Sequence, residues 1–170
     1  MGPDFRHPAR VAIRTPLPPV LYHGTSTKWL DQILRDGLKP CHMTGTVEMG
    51  CYADDREIAI HHAVEMADFE DADPVLFRLP TSRFDVAGFT VDDKFIELHP
   101  SAGRGRFVLA VVGEEAWENA PWTWLAMLRI AGSVGYTGTV PVSRADLVPG
   151  IVWPRAGESG IDDVLCSRTG

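Results

Sequence analysis

The sequence predicts an α+β domain built on a mainly antiparallel sheet with flanking helices. Three observations carry that reading. Short apolar or aromatic stretches of strand length, at 20–22, 51–53 and 74–79, are mixed with stretches of helical period, without the regular strand–helix alternation of a parallel sheet. The chain has 170 residues, enough for one domain with a real hydrophobic core and too few to argue for two. A phosphate loop, a dinucleotide glycine fingerprint and a nucleophile elbow are all missing, which argues against Rossmann and hydrolase architectures.

Taken in order, residues 1–19 read as an extended arm. Arg6, Arg10 and Arg14 stand among prolines with no central apolar block, unlike a cleaved secretory signal, and Pro18-Pro19 closes the segment. Val20-Leu21-Tyr22 is a buried strand. Thr27 caps a helix of about three turns, with Trp29, Leu30, Ile33 and Leu34 at helical spacing and Gly37 as the left-handed exit. A loop spans 40–50, and Cys51-Tyr52-Ala53 is a brief strand. Asp54 with Glu57 reads as a capping-box variant, opening a helix marked by Ile58, Ala59, His62, Ala63 and Met66. Strands are predicted at 74–79, 84–89, 94–98 and 106–112, and one helix over 117–131 from the spacing of Trp124, Met127, Leu128 and Ala131. Residues 134–140 alternate like a strand that Pro141 ends, and 147–153 reads as one more. The domain is thus set at 20–154, and the Gly- and Ser-rich segment 155–170 is expected to be a loose tail.

Composition excludes several classes of function. The longest apolar run, 107–112, is far below the roughly 20 residues of a membrane span, so no membrane partner is expected. A formal charge of −7 works against binding long nucleic acid through its phosphates, and Arg104 and Arg106 read as a solvated turn. Cys41, Cys51 and Cys166 make an odd count without ligand spacing, so neither a disulfide framework nor a metal site is expected and a cytoplasmic setting is the simplest. His61-His62 cannot share an ion easily, because adjacent helical residues point about 100° apart. Cys51 reads as a small buried residue, and the pairs Asp54-Asp55 and Asp92-Asp93 as a helix cap and a turn.

The most informative segment is Leu21-Tyr22-His23-Gly24-Thr25-Ser26, followed by a helix and by Gly37-Leu38-Lys39-Pro40. A strand that delivers an imidazole and then a bare glycine suits a ligand carrying a hydroxyl and a flat amide. This block resembles the opening of ADP-ribosyltransferase-fold enzymes, in the clade of the poly-ADP-ribose polymerases, diphtheria-type toxins and RNA 2′-phosphotransferases. Gly50-Cys51-Tyr52-Ala53-Asp54-Asp55, with Ala59 and His62-Ala63 behind it, resembles that clade's tyrosine strand and the following helix. Val134-Gly135-Tyr136-Thr137-Gly138-Thr139-Val140-Pro141 resembles its closing strand.

The resemblance implies a split sheet that binds NAD as a co-substrate in the cleft between its halves. It assigns His23 to a ribose hydroxyl, the Gly24 backbone to the nicotinamide carboxamide, and the Tyr52 ring to a stack on the nicotinamide. His62 falls on the other side of that ring, and Thr25 and Ser26 near the phosphates and ribose. It further implies a mono-ADP-ribosyltransferase or NAD glycohydrolase, in a toxin or effector, acting on a protein or nucleic-acid acceptor. Family members carry a glutamate at the start of the closing strand, where this chain has Ala131-Gly132-Ser133-Val134-Gly135. Glu115, between Glu114 and Glu118, is the replacement expected here, with Glu97 and Asp92 as other candidates. The missing glutamate keeps open two alternatives: a catalytically silent protein that binds NAD or ADP-ribose, and an enzyme resembling the RNA 2′-phosphotransferases.

Overall fold

A computed structural model of the chain describes residues 16–41 and 48–151. The fold is α+β, and among the described residues five antiparallel strands form one sheet in the order β3-β1-β2-β5-β4. The strands are β1 (Val20–Ser26), β2 (Gly50–Ala53), β3 (Pro74–Pro80), β4 (Phe89–Thr90) and β5 (Ser133–Tyr136). Around them lie α1 (Leu30–Asp36), α2 (Arg56–Glu70), α3 (Asp93–Glu97), α4 (Gly103–Val112), α5 (Glu114–Glu118) and α6 (Trp124–Ile130).

β1 pairs with β3 along its whole length, from Val20↔Pro80 to Ser26↔Pro74. With β2 it shares a single register pair among the described residues, Tyr22↔Ala53. β2 in turn pairs fully with β5, from Gly50↔Tyr136 to Ala53↔Ser133. The sheet therefore consists of two well-laddered parts joined by one narrow seam. Just past that seam the His23 side chain replaces the missing main-chain contact, its Nδ1 lying 2.9 Å from the Cys51 carbonyl oxygen.

Two faces follow from strand alternation. On one, Tyr22, Ala53 and Leu76 pack under Ile58 and Ala59 of α2. A Cβ on Gly24 would lie 2.8 Å from the Ala63 nitrogen and closer still to the Ala59 oxygen, so glycine is what lets α2 lie directly on β1. On the other face Leu21, Tyr52, Phe77, Leu79, Val134 and Tyr136 form the main core, with Leu30, Ile33 and Leu34 of α1 and Leu128 of α6 packed against them. A third cluster, Val108, Trp117, Met127 and Ala131, joins α4, α5 and α6.

Several local expectations change. Residues 94–98 form not a strand but helix α3, because the Asp92 carboxylate accepts the Phe95 amide and nucleates a turn that Lys94–Glu97 extends at 2.8 Å. Residues 106–112 are also helical: an unbroken apolar run has no period, and here α4 buries Val108 while leaving Phe107 and Val111 exposed. Residues 84–89 are mostly irregular, with a 3₁₀ turn at Val86–Gly88 capped by Asp85, and only Phe89 enters β4. The helix expected over 117–131 is two, since Thr123 caps a fresh start at α6, two residues beyond Pro121. The strand expected over 134–140 stops at Tyr136, Val140 instead meeting Leu38 in an isolated bridge. Of 147–153, Leu147 makes a bridge to Phe77, and 152–153 lie outside the described residues, as do 1–15 of the arm and the tail. The α2 cap is Asp55 rather than Asp54, accepting from the Glu57 amide at 3.0 Å. Thr27 opens a 3₁₀ turn instead of capping α1, and its hydroxyl accepts from the Asp73 amide.

Candidate functional site

A cavity of about 250 Å³ opens on the α2 face of β2. Its floor is Cys51, Ala53, Asp92 and Ser133, and α2 supplies Ile58, His61, His62 and Glu65 along one wall. The opposite wall is α3 with the segment leading into α4, including Lys94, Phe95, His99 and Ser101. The volume lies just under the usual range of roughly 300 to 1,000 Å³ for small-molecule sites.

Two polar side chains of the floor, Asp92 and Ser133, are each 2% exposed. One oxygen of the Asp92 carboxylate accepts from the Phe95 amide at 3.0 Å and from the Cys51 thiol at 3.4 Å. The other accepts from the Ser133 hydroxyl at 2.5 Å, which also lies 3.3 Å from the Tyr52 carbonyl. Burial, with the Asp92 carboxylate next in importance, pushes the Cys51 thiol well above its ordinary range, so Cys51 is a neutral thiol and not a poised nucleophile. Burial also lowers the pKa of His62, keeping its imidazole neutral. At the mouth, Ser101 Oγ is 3.1 Å from His61 Nε2, and His61 Nδ1 is 3.5 Å from Glu65. The backbone at His99 is left-handed, with φ of 52°, and its ring meets Glu118 at 3.1 Å.

Of the residues singled out from sequence, His62 lines this cavity, and Tyr52 borders it. The Tyr52 ring belongs to the core on the far side of the sheet, 2% exposed, edge-on to Phe84 at 4.9 Å and to Tyr136 at 6.2 Å. Its hydroxyl has no hydrogen-bond partner among the described residues, and burial pushes the phenol pKa up. His23 lies beside it, ring centroids 5.2 Å apart and tilted by 43°. A carbonyl only accepts, so His23 Nδ1 carries the proton bonded to Cys51 and Nε2 is left as an acceptor. Burial of the ring lowers its pKa from 6.5 to about 4. His23 and Tyr52 thus meet, but on the face away from the cavity that holds His62.

The remaining candidates are committed to other contacts. Gly24 is covered by α2. Thr25 is buried, and the Ser26 hydroxyl bonds Glu70, which also receives the Trp29 indole N–H at 2.6 Å and holds the far end of α2 against β1. Glu115 is exposed on α5 and does not line the cavity. Ser133 stands in the stretch where the glutamate of the resemblance is missing, and it is bonded to the one fully buried carboxylate of the cavity. Asp92 was visible in sequence as half of an acidic pair and as one of the other candidates for the missing carboxylate; its tie to Ser133, 41 residues away, needs the fold. Ser101 and His99 had no sequence signal. Among the described residues no group of three or more His, Cys, Asp or Glu could hold a metal ion, and no helix is long and apolar enough to cross a membrane.

No family model, no curated protein and no solved structure matches this chain.

Proposed function

We propose that the chain is an NAD-consuming enzyme, a mono-ADP-ribosyltransferase or NAD glycohydrolase, whose nicotinamide and adjacent ribose occupy the cavity beneath α2. The observation that carries this reading is the coincidence, beneath α2 and over β2 and the start of β5, of a cavity holding His62 with a buried carboxylate beside Ser133. At about 250 Å³ the cavity suits the nicotinamide–ribose half of a dinucleotide, with the phosphates and adenosine lying along its open side. Neutral His62 and Phe95 offer ring surfaces to a flat heterocycle. His23 braces Cys51 from behind through its carbonyl, and Tyr52 packs the reverse face. Cytoplasmic NAD is the co-substrate in this reading, and a protein or nucleic acid is the acceptor when it is not water.

Purified protein incubated with labelled NAD⁺ tests it: release of free nicotinamide is expected, and absence of both release and calorimetric binding would remove the reading. A second reading, a catalytically silent NAD- or ADP-ribose-binding protein, is favoured by one observation, that Asp92 already serves as the cap of α3. Tight binding without any nicotinamide release is its signature.

A further inference from the structure

The Asp92 carboxylate sits on the cavity floor with only neutral hydrogen-bond donors around it. Phe95 N–H, Cys51 S–H and Ser133 O–H satisfy its inner lone pairs. Among the described residues no Lys, Arg or His nitrogen lies within ion-pair distance of it; Lys94, on the same wall, is 2.8 Å from Glu97. Taking a carboxylate out of water without a cation costs several kcal/mol, so a fold that keeps one at the floor of a cavity leaves a negative potential there for whatever enters. Capping a five-residue helix does not require this burial, since exposed Asp85 caps its own short turn equally well. A cavity so built favours a ligand that carries positive charge or acquires it during reaction.

We propose that Asp92, held in place by Ser133, is the catalytic carboxylate that stabilises positive charge on the ligand, and that with NAD⁺ this is the ribosyl cation formed as nicotinamide leaves. The inference rests on the NAD reading above. In the step, the bond between ribose C1′ and the pyridinium nitrogen breaks and its electron pair departs with neutral nicotinamide. The resulting oxocarbenium charge, shared by C1′ and the ring oxygen, faces Asp92. An oxygen of water or of an acceptor hydroxyl then adds to C1′ and releases its proton to solvent. The acid thus acts by electrostatics and forms no covalent bond.

Asp92→Asn is the decisive variant because the structure offers it a full set of bonds. Its remaining oxygen can keep Phe95 and Cys51, its new N–H₂ can donate to Ser133 Oγ, and the Ser133 hydroxyl can turn to the Tyr52 carbonyl 3.3 Å away. Nicotinamide release should fall by the order of 100-fold or more in kcat, as for loss of one preorganised electrostatic group, with NAD⁺ binding weakened to about the wild-type affinity for NADH and the thermal midpoint largely kept. A purely capping role would leave kcat alone, because the amide oxygen of Asn still accepts the Phe95 N–H and caps α3 equally well. A second measurement needs no variant: the wild-type chain should bind NAD⁺, whose ring is cationic, at least ten times more tightly than NADH, whose ring is neutral. An Asp92→Asn enzyme that turns over at the wild-type rate, or equal wild-type affinities for NAD⁺ and NADH, overturns the assignment while leaving the NAD reading intact. Wild-type protein that binds NAD⁺ without releasing nicotinamide overturns the catalytic assignment in favour of the silent binder, and wild-type protein that does neither removes both.

Discussion

Gly24 separates two explanations of the same residue, a ligand contact and a packing requirement, and Gly24→Ala decides between them. The added Cβ would fall 2.8 Å from the Ala63 nitrogen and 3.0 Å from its Cβ, and nearer still to the Ala59 carbonyl, where about 3.5 to 4.0 Å is comfortable. All three neighbours belong to α2, whose backbone cannot swing aside like the end of a flexible side chain. The helix must lift by something on the order of an ångström from β1, loosening Ile58 and Ala59 over Tyr22, Ala53 and Leu76. Overpacking of this kind costs typically 1–3 kcal/mol and occasionally more; with backbone as the obstacle we expect about 3 kcal/mol. At an m value of about 2 kcal/mol/M that lowers the urea midpoint by about 1.5 M, and it lowers the melting temperature by about 6 to 12 °C for a chain of this size. Equilibrium urea unfolding followed by tryptophan fluorescence measures it. A variant within about 0.5 kcal/mol of the wild type would refute the packing argument, and if it had also lost NAD⁺ binding, Gly24 would belong to a ligand site instead.

Other outcomes follow from the same contacts. His23 is held neutral, its pKa lowered from 6.5 to about 4, so unfolding takes up a proton between those values; stability should be fully present above pH 6.5 and be lost as pH falls toward 4, by up to about 3 kcal/mol. A His23→Gln variant should show a flatter pH profile in urea unfolding over that window, and an unchanged slope would contradict the buried-imidazole account. Tyr52→Phe removes a buried hydroxyl that has no partner among the described residues, and should leave stability unchanged or raise it by about 1 kcal/mol; a loss of more than 1 kcal/mol by calorimetry would mean that the hydroxyl is bonded. His62→Ala opens the cavity wall and should weaken NAD⁺ binding about tenfold in calorimetry, while Glu115→Ala, on α5, should leave binding and nicotinamide release at wild-type levels.

The parts of the fold that could be read from sequence are those with a clean period or clear punctuation. β1, β2, α2 and β3 announce themselves because Pro18-Pro19, Gly50, the Asp54-Asp55 pair and Pro74 bound stretches of one period, although the sequence reading places the capping residue of α2 one position early. The stretch from 84 to 131 could not be read so well. The run 107–112 is apolar throughout and has no period to measure, and α4 packs through Val108 on Trp117 of the next helix and on Met127 of α6. Residues 94–98 became a helix through one capping carboxylate, Asp92, whose orientation depends on Ser133 and Cys51. The same dependence explains the site. His62 is singled out through the resemblance and placed by the helical spacing of α2, whereas the depth of Asp92 comes from the meeting of β2, β5 and the start of α3. Strand alternation, already implicit in the sequence, turns the His23 and Tyr52 rings away from the cavity face.

The most direct test of the account is a crystal structure with a non-hydrolysable NAD⁺ analogue. The nicotinamide ring should lie between His62 and the floor at Cys51, with ribose C1′ turned toward the Asp92 carboxylate. An analogue bound on the His23–Tyr52 face, or a cavity left empty at saturating analogue, would contradict it.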